Sequence, residues 1–119
     1  MEAYGKAIHD LAVKIGHKMA ESLGVMGCDF EDWPCQVRIN KYNFTPEVLG
    51  STGAKLHTDS GFLTIVHDDE IVGGFEAMDN SGSFVSVPPF HGTLLANLGD
   101  MAQVSTKKFD NFITKLHLF

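Results

Sequence analysis

Ile8, Leu11, Ile15, Met19 and Leu23 recur at intervals of three and four, which places them on one face of a helix. Lys6, Asp10, Lys14, Lys18 and Glu21 fall mostly on the opposite face. The spacing therefore predicts an amphipathic helix that ends before Gly24, with its apolar face against a core. Beyond Gly24 the period changes. Gly, Pro, Asn, Asp and Ser interrupt short apolar runs about every eight to twelve residues, the rhythm of an all-β sandwich or barrel. The runs predict strands at 36–44, 54–58, 62–67, 72–78, 83–87 and 92–98, with a weaker one at 112–118. Asp79-Asn80-Ser81-Gly82 predicts a hairpin turn. Thr93-Leu94-Leu95-Ala96-Asn97-Leu98 is apolar almost throughout and predicts a central, covered strand. The expected fold is mainly β with one N-terminal helix. It divides into a helix at 1–24, a β core at 25–103 and a divergent tail at 104–119.

Composition narrows the function classes. The chain has 119 residues, room for one domain with a single core. Nine Lys and Arg against fifteen Asp and Glu give a formal charge of −6. That balance argues against nucleic acid or an anionic membrane as partner, because phosphate binding needs clustered positive charge. No apolar run reaches the length of a membrane span. Cys28 and Cys35, the two cysteines, are too few for a disulfide framework and read as buried thiols in a reducing, cytoplasmic setting.

One segment carries chemistry. In Leu56-His57-Thr58-Asp59-Ser60-Gly61-Phe62, His57 and Asp59 are two residues apart. On a strand such residues share a face, so an imidazole and a carboxylate converge on one point. That is two-thirds of a 2-His-1-carboxylate facial triad, the ligand set of non-haem Fe(II) oxygenases. A His-x-Asp pair also arises by chance as a surface polar pair in a chain with six histidines. On the predicted strand at 36–44, Val37 and Ile39 alternate with Arg38, Asn40 and Tyr42, a polar set suited to a small carboxylate.

Four blocks now stand in order: Arg38-Ile39-Asn40-Lys41-Tyr42-Asn43-Phe44, His57-Thr58-Asp59-Ser60-Gly61-Phe62-Leu63-Thr64, Val72-Gly73-Gly74-Phe75-Glu76, and Gly92-Thr93-Leu94-Leu95-Ala96-Asn97-Leu98-Gly99-Asp100. Together they resemble the plant 2-oxoglutarate/Fe(II)-dependent dioxygenases, and within that family its auxin-oxidising members. The resemblance runs from residue 1 to about 103. It implies a double-stranded β-helix, or jelly roll, here incomplete. It implies Fe(II) held by His57 and Asp59, and 2-oxoglutarate as co-substrate held with the help of Asn40 and Tyr42. Dioxygen is the oxidant, and 2-oxoglutarate leaves as succinate and carbon dioxide. The implied substrate is a small aromatic acid, indole-3-acetic acid, oxidised to 2-oxindole-3-acetic acid. Neither nucleic acid nor membrane is an expected partner, and the oligomeric state is left open.

The tail departs from the family pattern. The family's third ligand is a histidine in a late block reading roughly W-S-N-G-x-F-x-N-V-x-H-R-V, and the W-S-N-G part is absent. Matching Phe109 and Asn111 to that block puts Thr114 at the histidine's place, while a gapless match puts Lys115 there. His117 is the one substitute candidate. Relative to Lys115 it keeps the face but is displaced by about 6.6 Å, and relative to Thr114 it faces away. The family's later Arg-x-Ser pair and its N-terminal helical region are also missing. Gln103-Val104-Ser105 is the translation of a common splice-donor context, so the tail is expected to be read-through intron that forms an apolar sheet edge. Two further readings follow from these gaps. One is a truncated, inactive relative, and the other is a cupin-like module that binds without turnover. His67-Asp68-Asp69-Glu70 reads as a solvated turn, and His9, His17 and His91 as ordinary helix and loop residues.

Overall fold

A computed structural model describes residues 1–43, 45–69, 71–106 and 113–117, with the backbone path alone for 105, 106 and 113–117. The chain forms two compact units, Met1–Asn40 and Lys41–Phe119.

The first unit is built on helix α1, Glu2–Ser22, which matches the expected periodicity. Its charged face is laced by Lys6–Asp10 at 3.0 Å and Lys18–Glu21 at 2.8 Å. Both pairs are exposed and contribute little to stability. The most covered helical positions are Gly16 and Ala20 rather than the larger apolar residues. Phe30 is the reason. It folds back from the following loop with its ring against Gly16, and it also meets His17 edge-on and Trp33 at a tilt.

The expected strand at 36–44 is not formed: residues 36–43 carry no regular structure, and residue 44 lies outside the described residues. Val37 and Ile39 stand 58% and 71% exposed. Alternation states which way side chains would face. It does not supply the neighbouring strand that a ladder requires, and no strand pairs here.

The second unit is the β part. After a 3-10 turn at Pro46–Val48 come β1 (Thr52–His57), β2 (Leu63–Val66), β3 (Phe75–Met78), β4 (Phe84–Ser86), β5 (Leu95–Leu98), a short helix α2 (Asp100–Thr106) and β6 (Ile113–His117). All pairings are antiparallel. One sheet has the order β1-β6-β3-β4 and the other is β2-β5.

Two expectations are modified. The strand at 92–98 is shorter and is not central, because its sheet has two strands among the described residues. The tail does not form an edge: β6 lies between β1 and β3 and pairs with both. Residues 107–112, 118 and 119 of that tail lie outside the described residues. Helix α2 was not foreseen.

The hairpin turn is as expected. Asp79 Oδ1 accepts from the backbone N–H of Ser81 at 2.8 Å and of Ser83 at 3.0 Å. Gly82 takes φ +83°, a conformation that other residues adopt at a cost. Cys28 and Cys35 are both free thiols, but they are not buried as expected: Cys28 is half-buried and Cys35 is exposed. No helix among the described residues is long and apolar enough to cross a membrane.

Candidate metal centre

His57 is the last residue of β1, and Asp59 lies past its end in the connection to β2. The pair therefore does not converge by strand alternation. Backbone hydrogen bonds from the end of β5 hold the connection in place. Gly99 N–H donates to the Phe62 carbonyl at 3.0 Å, Asp100 N–H to the Asp59 carbonyl at 2.8 Å, and Met101 N–H to the Gly61 carbonyl at 3.2 Å. The unpaired N–H groups that open α2 thus find their acceptors in the loop that carries Asp59. The Thr58 hydroxyl adds a bond to Asp100 Oδ2 at 3.1 Å. Gly99 permits this approach. A Cβ there would collide with the carbonyl oxygens of Gly61 and Asp59, so any larger residue displaces the loop.

The Asp59 carboxylate rests on a polar floor made by two paired strands. Thr64 of β2 and Asn97 of β5 are direct cross-strand partners. Asn97 Nδ2 donates to Asp59 Oδ2 at 2.8 Å, and the Thr64 hydroxyl also favours the charged carboxylate. Burial pushes the Asp59 pKa up. The bonds from Asn97 and Thr64 and the nearby His57 outweigh it, so the group stays below the ordinary carboxylate range and is ionised. Asn97 is 6% exposed, and its Oδ1 has no hydrogen-bond partner among the described residues. An unsatisfied buried acceptor costs roughly 1–3 kcal/mol.

His57 Nδ1 lies 2.7 Å from the Lys55 carbonyl oxygen. A carbonyl can only accept, so Nδ1 donates to it and Nε2 is the ring nitrogen left to face Asp59. Metal-binding histidines commonly have this outer bond. Nε2 and Asp59 Oδ1 are 3.6 Å apart. Metal–ligand bonds of about 2.1 Å let two donors less than about 4 Å apart share one ion. One imidazole nitrogen and one carboxylate oxygen, each held from behind, fit a first-row divalent metal such as Fe(II). Among the described residues no third His, Cys, Asp or Glu joins them.

Asn40 closes the first unit and Tyr42 belongs to the second, both in irregular chain and both exposed. On β6 the register sets Thr114 opposite His57 and His117 opposite Thr52. The floor residues Asn97 and Thr64 and the packing residue Gly99 were not assigned from sequence. Asn97 had a legible signal, as the one polar residue in the run Leu94–Leu98.

Comparison with known proteins bears on the family and the fold. A family model described as the 2OG-Fe(II) oxygenase superfamily matches residues 33–114. The match continues past Gln103, where the sequence resemblance was expected to fail. The 2-oxoglutarate-dependent dioxygenase DAO of Oryza sativa subsp. indica is 48% identical over 104 residues, covering 87% of this chain and 35% of the relative. The crystal structure of the rice dioxygenase for auxin oxidation superposes with a TM-score of 0.93 at 44% identity, covering 98% of this chain and 40% of that one. The Arabidopsis thaliana dioxygenase for auxin oxidation 1, in its 2-oxoglutarate binary complex, gives 0.89 at 49% identity, covering 97% and 44%. The β part is thus an incomplete double-stranded β-helix. The chain spans less than half the length of these relatives.

Proposed function

We propose, on the premise that the chain belongs to the 2OG-Fe(II) oxygenase superfamily, that it is part of a dioxygenase for a small aromatic acid, with indole-3-acetic acid as substrate. The observation that carries the site is the His57–Asp59 pair: an imidazole whose Nδ1 is taken by the Lys55 carbonyl and whose Nε2 lies 3.6 Å from an ionised carboxylate. The substrate assignment rests on the likeness to the rice and Arabidopsis auxin-oxidising proteins, both above 40% identity.

His57 and Asp59 would hold the metal. Fe(II), when bound with 2-oxoglutarate, supplies the activation of dioxygen that puts one oxygen atom on the substrate and the other into succinate, with loss of carbon dioxide. The chain's own residues supply the mould for that chemistry. The Lys55 carbonyl fixes the His57 tautomer, and Asn97 and Thr64 keep the Asp59 carboxylate charged. Gly99 lets β5 and α2 lock the loop between β1 and β2. Asn40 and Tyr42 are the proposed contacts for 2-oxoglutarate, and cytoplasm is the proposed location. The third ligand position falls on β6, where the register puts Thr114 across from His57. His117 sits across from Thr52, about 16 Å away along β1.

The test is incubation with Fe(II), 2-oxoglutarate, dioxygen and indole-3-acetic acid, with succinate and the oxidised acid followed by mass spectrometry. The expected result is equal amounts of succinate and a product one oxygen heavier, both lost in His57→Ala. Consumption of 2-oxoglutarate no greater than in His57→Ala would contradict the reading. The two-donor site among the described residues favours a second reading, a relative that binds metal without turnover. Metal binding without succinate formation would identify it.

A further inference from the structure

We propose that Asn97 is a positioning residue: by donating from Nδ2 to Asp59 Oδ2 it turns the carboxylate so that Oδ1 alone is presented on the His57 side. The inference rests on reading His57 and Asp59 as a metal centre, and it names the group that makes Asp59 a one-oxygen ligand.

Three observations carry it. The two oxygens of Asp59 have different surroundings: Oδ2 is taken by Asn97 at 2.8 Å, while Oδ1 lies 3.6 Å from His57 Nε2. Asn97 is itself fixed, 6% exposed on β5 and directly across from Thr64 of β2. Finally, Asn97 does not benefit the strand it sits in. Its neighbours Leu95, Ala96 and Leu98 are apolar, and its own Oδ1 has no partner among the described residues. A buried leucine would leave no carbonyl unsatisfied at this point. What Asn97 supplies that leucine cannot is the Nδ2–H bond to Asp59.

A purely structural residue and a positioning residue differ in the metal readout, not in stability. Asn97→Leu removes an unsatisfied acceptor and also a charge-assisted bond to a part-buried carboxylate, two changes of opposite sign in the melting temperature. The same substitution frees Asp59 to rotate, so Co(II), a spectroscopically visible stand-in for Fe(II), binds about 10- to 100-fold more weakly, as is usual on losing an outer-shell partner. The visible Co(II) bands shift as the carboxylate changes its binding mode. In the unsubstituted, metal-free chain, one Nδ2 proton of Asn97 resonates downfield, and it returns to the ordinary range in Asp59→Ala. That measurement needs no variant at position 97 to fold. Unchanged Co(II) affinity and bands in Asn97→Leu would overturn the proposal, as would an Nδ2 proton that Asp59→Ala leaves unmoved. Failure of the unsubstituted chain to bind Co(II) would overturn the metal-centre reading and the role with it. A downfield Nδ2 proton in that case would leave Asn97 a structural hydrogen bond only.

Discussion

Asp59 and Asp79 both hold their carboxyl groups below the ordinary range, by opposite routes. Asp79 is fully exposed, and all its donors lie within four residues: the Ser81 hydroxyl at 2.6 Å and the backbone N–H groups of Ser81 and Ser83. Asp59 is part-buried, and its bond to Asn97 spans 38 positions of sequence. Asp79 uses one oxygen, Oδ1, to close a turn of the chain on itself. Asp59 has Oδ2 bonded from below and leaves Oδ1 toward an imidazole. A carboxylate satisfied by its own turn is finished chemistry. One fixed by distant strands has an oxygen left over for a ligand.

Substitutions can break this contrast. The largest effect is expected from Asp59→Ala, which lowers Co(II) affinity by more than about 100-fold, beyond the loss of an outer partner. Asp79→Ala leaves the same isotherm unmoved, and a matching loss there would erase the distinction. Next is Thr114→His. The backbone register pairs position 114 with His57, and the substitution is expected to raise Co(II) affinity roughly 10- to 100-fold, by the reverse of that logic. His117→Ala leaves affinity unchanged, and a loss there would move the third position to His117. Third is Gly99→Ala. The added methyl meets the Gly61 and Asp59 carbonyls, so chemical denaturation should show roughly 1–3 kcal/mol of destabilisation with weakened metal binding. Normal stability would mean the loop yields freely and does not fix Asp59.

The smallest effect belongs to Asp79. Its folded-state pKa is depressed, so its contribution is full above the ordinary carboxylate range and is lost as the pH falls through the folded value. Asp79→Asn should therefore melt below the unsubstituted chain at pH 7, and the gap should close as the pH drops below about 4. A gap that persists at acid pH would show that the Asp79 charge is not what shapes the turn.

The same contrast explains what the sequence disclosed. Helix α1, the Asp79 turn and all six strands β1–β6 follow from local patterns, and they were legible. His57 and Asp59 were legible as a pair, although the strand alternation invoked for them is not what brings them together. Gly99 and the Asp59 loop perform that task, and nothing local announces a contact across some forty residues. The strand expected at 36–44 failed for the complementary reason. Its alternation was real, but a partner edge is a property of the fold. Asn97 lay in plain view as a polar residue in an apolar run, and its meaning required knowing that Asp59 sits above it.

The most direct test of the central claim is an anaerobic titration of the full chain with Fe(II) and 2-oxoglutarate, monitored by visible absorption. A metal centre built on His57 and Asp59 predicts the charge-transfer band of a chelated keto acid, saturating with added Fe(II) and absent in His57→Ala and Asp59→Ala. A folded chain that shows no band, or the same band in both variants, would contradict it.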